Sequence, residues 1–395
     1  MRIKMLKKIE VPAPLDIENK CPRKKLFFQL SIPEDGIGPN TGLIIYIGGY
    51  GSQYDDPYTS KLLTYLSNEY DCIAASVQYF GSELYGNATA VPADNFFVNL
   101  KKQYGVVFTQ HSSLAPESLL THTLEQLSAL GITELNHDCQ AIIDSADYNS
   151  FGFLPAIDHL EVTWHVLNFY KPNRTRLYVL GTSCGGHIAS MLLKFAPNTY
   201  RMIVENSGFT SPKDNMPGIY GVIKNQISGV SIIGIARRRW KRQPGSYFFS
   251  ESHLKIRSLI EVEHFSDSPT CLYSYHWEGD TIACIERKRH LVDVFADKLV
   301  YKQQIIKNRM LDGQEFKTPE HGMQASMRKL FFRAYSNFIK INKFPKSITD
   351  FDIGTKLSFN CAGLIYEISF SDKGGLSYFL NGTASENNPF ISSLA

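Results

Sequence analysis

A serine lies between glycines in the segment Gly181-Thr182-Ser183-Cys184-Gly185-Gly186. This is the G-x-S-x-G pattern, with a predicted buried strand at residues 176–180 before it and a predicted helix at 186–195 after it. So sharp a turn holds its central residue in a strained backbone conformation, and the glycines leave room where a Cβ would collide with neighbouring elements. The pattern therefore predicts Ser183 as a nucleophile, raised above the carboxyl edge of a sheet.

Such a nucleophile needs two backbone N–H donors for the oxyanion of its tetrahedral intermediate. The amide of Cys184 is one, because it lies at the N-terminus of the predicted helix. The glycine-rich segment Gly48-Gly49-Tyr50-Gly51, which follows an apolar strand, predicts the second donor at Tyr50, with Gly49 as the alternative. The thiol of Cys184 is a weaker candidate for the nucleophile, since it lies one residue past the apex of the turn.

The general base must be a histidine late in the chain, because this type of turn is followed by an acid and then by the histidine. His321 lies in the loop 318–322, directly before a predicted last helix at 323–339. Of the eleven histidines it alone fits both the order and the context. His290 lies within a helical pattern, and His276 ends a predicted strand too early. We therefore predict His321 as the base.

The acid that orients the base is expected after the predicted strand at 270–275. Two carboxylates, Glu278 and Asp280, lie in the segment that follows. Asp280 is favoured because it follows a glycine and directly precedes a predicted helix at 282–295, where a short side chain can reach back. Glu278 is the alternative.

The acid can also lie one strand earlier, where Glu205 and Asp214 are the candidates. Asn206 occupies the most suitable place there, and an amide cannot stabilise an imidazolium cation. The sequence therefore favours the later position.

Together these groups predict acyl transfer. His321 takes the proton of Ser183, the hydroxyl attacks a carbonyl carbon, and His321 returns the proton to the leaving group before water releases the acyl-enzyme. No CxxC pair offers metal-ligand spacing, and we expect neither a metal nor a cofactor.

The elements around these residues alternate between apolar strands and helical patterns from residue 26 to residue 339, which predicts a mostly parallel sheet covered by helices on both faces. Two insertions, at about 80–148 and 207–261, are long enough to be lids. After residue 344 three alternating segments predict a small β-meander. We therefore expect a catalytic domain at 1–344 and a β-rich extension at 345–395, whose unpaired edge offers a route to a homodimer.

Composition narrows the function classes. The chain has 395 residues, 43% of them hydrophobic and 20% charged, and its net charge of +3 is too small to indicate nucleic-acid binding. No run approaches 18 uninterrupted apolar residues, so no membrane span is predicted. The N-terminus shows no signal peptide, and the seven scattered cysteines are typical of thiols in a reducing compartment, so we expect a cytoplasmic protein.

The runs DYNSFGFLPAIDHLEVTWHVLNFY and RLYVLGTSCGGHIASMLLKFAPNTYRMIVENSG resemble the catalytic core of prolyl-oligopeptidase-like serine hydrolases. More closely, the chain resembles the bacterial DUF2920 proteins from about residue 26 to the last helix. The resemblance implies the α/β-hydrolase fold, with Ser183, Asp280 and His321 at the matching positions. Peptidases of the wider group carry a propeller or β-rich domain before the hydrolase, for which this chain has no room, so we expect an esterase.

The dense basic cluster Arg237-Arg238-Arg239-Trp240-Lys241-Arg242 bears on the substrate. We expect a solvated face of a lid helix, with Arg238 and Trp240 as candidate contacts to an anionic substrate; contact with an anionic membrane surface is a further option. Tyr79, at the end of a predicted strand, is a candidate substrate hydrogen-bond donor or a half-buried core residue.

DUF2920 proteins resemble accessory enzymes of surface-glycan assembly, which implies an O-acetylated sugar as the small-molecule or glycan ester. The alternatives are an O-acyltransferase that uses the same three groups, a serine peptidase, and a non-catalytic scaffold. The complete order of serine, aspartate and histidine argues against the scaffold.

Overall fold

The strands and helices of the protein are taken from a computed structural model. It describes residues 6–23, 25–82, 88–92, 96–104, 116–136, 139–143, 147–212, 220–227, 229–240, 244–245, 248, 250–341 and 348–382. The strands are β1 (Leu6–Pro12), β2 (Lys25–Ser31), β3 (Gly42–Ile47), β4 (Cys72–Gln78), β5 (Ala88–Pro92), β6 (Glu134–Asn136), β7 (Cys139–Ile143), β8 (Leu177–Thr182), β9 (Met202–Asn206), β10 (Tyr220–Ile227), β11 (Val230–Trp240), β12 (Cys271–Trp277), β13 (Val300–Ile306), β14 (Lys356–Cys361), β15 (Leu364–Ser371) and β16 (Gly375–Asn381). The helices are α1 (Pro57–Tyr70), α2 (Phe96–Tyr104), α3 (Pro116–Ala129), α4 (Phe153–Phe169), α5 (Cys184–Phe195), α6 (Ile285–Phe295), α7 (Met327–Phe338) and α8 (Asp350–Ile353).

Eight of the described strands form one sheet in the order β1-β2-β4-β3-β8-β9-β12-β13. The pairs from β4 to β13 are parallel, whereas β1 and β2 are antiparallel to their neighbours. Every residue of β3 and β9 is buried, which explains their continuous apolar sequences. This strand order is that of the α/β-hydrolase fold, and the fold prediction is confirmed.

Helices cover both faces of this sheet. On one face α1 and α7 share a core with alternate strand residues such as Ile44 and Tyr178. On the opposite face α5 contacts β8 and β9 and packs against α4. All residues of α5 are buried, so the helix that begins directly after Ser183 is fixed along its length. The carboxyl ends of β3, β8 and β12 meet at one edge of the sheet, where ligands of such folds bind.

The remaining part of the chain, residues 83–149 and 215–243, forms a separate compact unit. Its described strands make a sheet in the order β10-β11-β7-β5, with β6 also paired to β11. The expected lid helix at the basic cluster is wrong, because Arg237–Trp240 belong to the strand β11. The β-branched residues Val230, Ile232, Ile233 and Ile235 favour a strand here, and 241–243 lie outside the described residues.

The three-stranded meander β14-β15-β16 belongs to the same compact unit as the large sheet. Its approach to that sheet is fixed by Asp350, whose carboxylate accepts hydrogen bonds from the amide of Asn198 and the hydroxyl of Thr199, both at 2.8 Å. The boundary expected at 344–345 falls outside the described residues, and the domain limits stay a prediction. Within the described residues, no helix is both long and apolar enough to cross a membrane.

Candidate active site

Ser183 occupies the turn between β8 and α5 with φ 54° and ψ −122°, a conformation that non-glycine residues rarely adopt. The turn is possible because Gly181 and Gly185, two residues before and after Ser183, have no side chains. A Cβ on Gly185 would lie 2.1 Å from the carbonyl oxygen of Ile47, and one on Gly181 would lie 2.3 Å from that of Gly185. The amide of Ser183 donates to the carbonyl of Asn206 at 2.8 Å, which ties the turn to β9.

Three side chains form a continuous hydrogen-bonded chain at this edge. The Oγ atom of Ser183 lies 2.8 Å from Nε2 of His321, and Nδ1 of His321 lies 2.8 Å from Oδ2 of Asp280. The Asp280 side chain is fully buried and that of His321 is 15% exposed, so the chain runs from the interior to the surface. This geometry gives the serine a proton acceptor and gives that acceptor a buried anion behind it.

The Asp280 carboxylate is held by its own turn. Its Oδ1 atom accepts hydrogen bonds from the amides of Ile282 at 2.9 Å and Ala283 at 3.0 Å, which leaves Oδ2 for His321. Burial pushes the pKa of Asp280 upward, but the hydrogen bond and charge of His321 and the Ala283 amide outweigh it, so that pKa lies below its usual range. Asp280 is therefore an anion at neutral pH.

The loop that carries His321 is fixed by residues that the sequence analysis missed. The side-chain amide of Asn206, considered above only as an unsuitable acid, donates to the Gly322 carbonyl at 2.9 Å. The Gly322 amide donates to the hydroxyl of Ser207 at 3.2 Å, and the ring of Phe209 lies 5.7 Å from that of His321. The one available sequence signal was the position of Asn206 and its neighbours at the carboxyl end of a strand.

The predicted oxyanion residues lie next to the serine. A Cβ on Gly49 would lie 3.2 Å from the Cβ of Ser183, so the loop after β3 passes directly beside the nucleophile candidate. The hydroxyl of Tyr79 donates to the carbonyl of Gly48 at 3.2 Å, and this side chain is only 5% exposed. Tyr79 thus holds the loop that contains Gly49 and Tyr50, and its contact with a substrate stays a prediction.

The thiol of Cys184 is in an environment that favours its neutral form. Burial raises the pKa of this thiol to about 12, although hydrogen bonds with Tyr50 and Tyr79 act in the opposite direction. A thiol needs to be a thiolate to attack. The backbone amide of Cys184, in contrast, is the first of α5 and has no intrahelical acceptor.

The alternative carboxylates have other partners. Glu278 accepts a hydrogen bond from the amide of Asn308 at 3.2 Å. Glu205 lies 2.6 Å from the ammonium of Lys288 and accepts from the amide of Gly208 at 2.8 Å, and both charged side chains are fully buried. Asp214 lies outside the described residues.

The substrate contacts predicted for Arg238 and Trp240 stay a prediction. Arg238 and Trp240 lie in β11, paired with Ala141 and Ile143 of β7, and the structure describes the backbone of this strand but not its side chains. In the described part of the chain, no group of three or more histidine, cysteine, aspartate or glutamate side chains could hold a metal ion.

The strand order and the serine, histidine and aspartate at its carboxyl edge define a protein of the α/β-hydrolase class. The chain belongs to the family described as "Protein of unknown function (DUF2920)", whose sequence profile matches residues 7–375. This confirms the resemblance inferred from the sequence. A search of curated proteins gave no match.

Solved structures with a similar fold include peptidases and esterases. Dipeptidyl peptidase 4 of Porphyromonas gingivalis has 12% identity and a TM-score of 0.47, with 86% of this chain and 36% of the peptidase covered. An S-formylglutathione hydrolase of Agrobacterium tumefaciens has 9% identity and a TM-score of 0.44, with 85% of this chain and 94% of the hydrolase covered. The esterase Est2 of Thermogutta terrifontis has 12% identity and a TM-score of 0.44, with 85% of this chain and 95% of the esterase covered. The chain spans less than half of the peptidases that it resembles, 36–43% of their length.

Proposed function

We propose that this protein is a serine hydrolase in which Ser183 is the nucleophile, His321 the general base and Asp280 the acid. The observation that carries the proposal is the hydrogen-bonded chain of these three side chains, with both contacts at 2.8 Å. The strained backbone of Ser183 supports it, since such strain has no structural benefit at a simple turn.

In this mechanism the imidazole of His321 removes the proton from Ser183 while Oγ attacks the carbonyl carbon of an ester. The amides of Cys184 and Tyr50, with Gly49 as the alternative, bind the oxyanion. His321 then protonates the leaving alcohol, and a water molecule, deprotonated by the same imidazole, releases the acyl group. The buried anion of Asp280 stabilises the imidazolium in both halves of the reaction.

The proposed substrate is an O-acetylated carbohydrate. It follows from the resemblance of DUF2920 proteins to accessory enzymes of glycan assembly, and the fold places no restriction against it. The six cysteines whose side chains are described are free thiols, which supports the proposed cytoplasmic location.

The experiment compares the hydrolysis of four substrate types, p-nitrophenyl acetate, acetylated sugars, long-chain p-nitrophenyl esters and aminoacyl-nitroanilides, by the release of p-nitrophenol, acetate, p-nitrophenol and nitroaniline respectively. We expect turnover of acetyl esters by the wild type and by Cys184→Ala, and none above background by Ser183→Ala. If peptides or long-chain esters are hydrolysed and acetylated sugars are not, the glycan substrate is excluded. Transfer of acetate to an added sugar in preference to water would identify an acyltransferase.

A further inference from the structure

A second histidine lies behind the candidate acid. His276 is the penultimate residue of β12, four positions before Asp280, and its side chain is fully buried. Its Nε2 atom lies 3.1 Å from the carbonyl oxygen of Ala283 and 3.5 Å from Oδ2 of Asp280. His276 was set aside as a base because it comes too early in the chain, and the mechanism above does not use it.

The contacts around His276 close a ring on the turn 280–283. His276 faces the Ala283 carbonyl, the Ala283 amide donates to Oδ1 of Asp280 at 3.0 Å, and Oδ2 of Asp280 lies within reach of Nε2. Because both groups near Nε2 are acceptors, Nε2 carries the proton and donates to the Ala283 carbonyl. The other nitrogen, Nδ1, has no hydrogen-bond partner within the described residues.

Burial, more than the charged groups that face it, favours the neutral form of His276. Burial lowers the pKa of His276, and the ammonium of Lys288 on α6 acts in the same direction. Glu205 on β9 and Asp280 oppose this shift, but Glu205 is paired with Lys288 at 2.6 Å. A neutral ring with a fixed N–H is a suitable donor to hold a backbone carbonyl in place.

We propose that His276 is a positioning residue, which fixes the turn 280–283 so that Oδ2 of Asp280 stays aligned with Nδ1 of His321. This inference rests on the proposed function for its effect on turnover. His276 acts only through Asp280, since no contact joins His276 to Ser183 or His321 in the described structure.

The test compares three variants of His276 in the full chain with one control variant. His276→Leu removes the donor, and His276→Gln keeps an N–H near the place of Nε2. His276→Asn carries its amide one methylene short of that place, so the Asn and Gln variants give the same comparison if the Leu variant does not fold. His264→Leu is the control, because His264 is also buried but packs against Phe359 at 5.5 Å.

The variants are compared in two experiments, which measure kcat and KM for p-nitrophenyl acetate against pH and the pKa of His321 by NMR titration of its ring. Without the donor, Asp280 is held less firmly and stabilises the His321 imidazolium less. We expect kcat/KM to fall about tenfold with KM little changed. We expect the pKa of His321, and with it the acid limb of the pH profile, to move down by about one unit. The Gln variant should recover both values, and His264→Leu should move neither.

A loss of activity in His276→Leu and His276→Asn with an unmoved His321 pKa would make the role merely structural and would overturn the proposal. So would an unchanged rate and pH profile in the folded variants. The NMR titration does not depend on turnover. If the wild type shows no Ser183-dependent hydrolysis while the His321 pKa still responds to His276, the proposed function fails and the positioning role stands.

Discussion

At the scale of single residues, Asp280 makes the sharpest prediction. Asp280→Asn keeps the size of the side chain but replaces the anion that faces Nδ1 of His321, so the imidazole takes the wrong tautomer and its cation loses stabilisation. We expect kcat for an acetyl ester to fall by roughly 10³–10⁴-fold. Glu278→Gln is the matched control, because Glu278 faces the amide of Asn308. Equal losses in the two variants would remove Asp280 from the mechanism.

The order of residue types along the chain was sufficient to select Ser183, Asp280 and His321, and the structure brings these three side chains together. Their catalytic roles stay predictions. Asn206 could not be found in this way, because its contact with Gly322 depends on how distant loops meet. His276 contacts Ala283, seven residues further along, through a local turn whose geometry the order of residue types does not reveal. Tyr79 was visible in the sequence, but only the structure shows that its hydroxyl is bound to Gly48.

At the scale of elements, the glycines of the turn before α5 are a requirement of packing. Gly185→Ala places a Cβ 2.1 Å from the Ile47 carbonyl oxygen, and neither β3 nor α5 can move without disturbing the sheet. We expect a loss of about 3 kcal/mol or more in the free energy of unfolding, measured by urea denaturation. Gly38→Ala should be nearly neutral, since its Cβ would meet only the Thr41 hydroxyl at 3.9 Å. A stable Gly185→Ala protein would contradict this account of the turn.

Buried strands with continuous apolar sequences, such as β3, were predictable from sequence because burial on both faces leaves an unambiguous pattern. The strand β1 was missed because it lies at the edge of the sheet and exposes the charged residues Lys7, Lys8 and Glu10. At β11 the run of arginines was interpreted as one face of a helix. The isoleucines before it were the better guide, since β-branched side chains favour strands.

At the scale of the whole molecule, one buried ion pair joins distant parts of the chain. Arg257 donates to both carboxylate oxygens of Glu18 at 2.5 Å and to the carbonyl of Ser150 at 2.9 Å, and both charged side chains are fully buried. The hydroxyl of Tyr366, in β15, donates to the same carboxylate at 2.7 Å. The N-terminal segment, the region before β12 and the C-terminal meander are thereby connected within one compact unit.

Removal of one charge from this network should therefore destabilise the whole unit. We expect Arg257→Met to lose about 3–5 kcal/mol of unfolding free energy, because Glu18 is left as a buried, uncompensated anion. Arg174→Met is the control, since Arg174 pairs with Asp352 and Asp372 at the surface and should cost at most about 1 kcal/mol. Similar losses for the two variants in urea denaturation would show that the buried pair does not hold these segments together.

Covalent labelling shows directly whether the hydroxyl of Ser183 is activated by His321. The intact protein is treated with a fluorophosphonate, and the modified residue is located by peptide mass spectrometry. We expect one adduct per chain, on Ser183. It should be absent in Ser183→Ala, form much more slowly in His321→Ala and be retained in Cys184→Ala. An adduct on another residue, or labelling that persists in Ser183→Ala, would contradict this activation of Ser183.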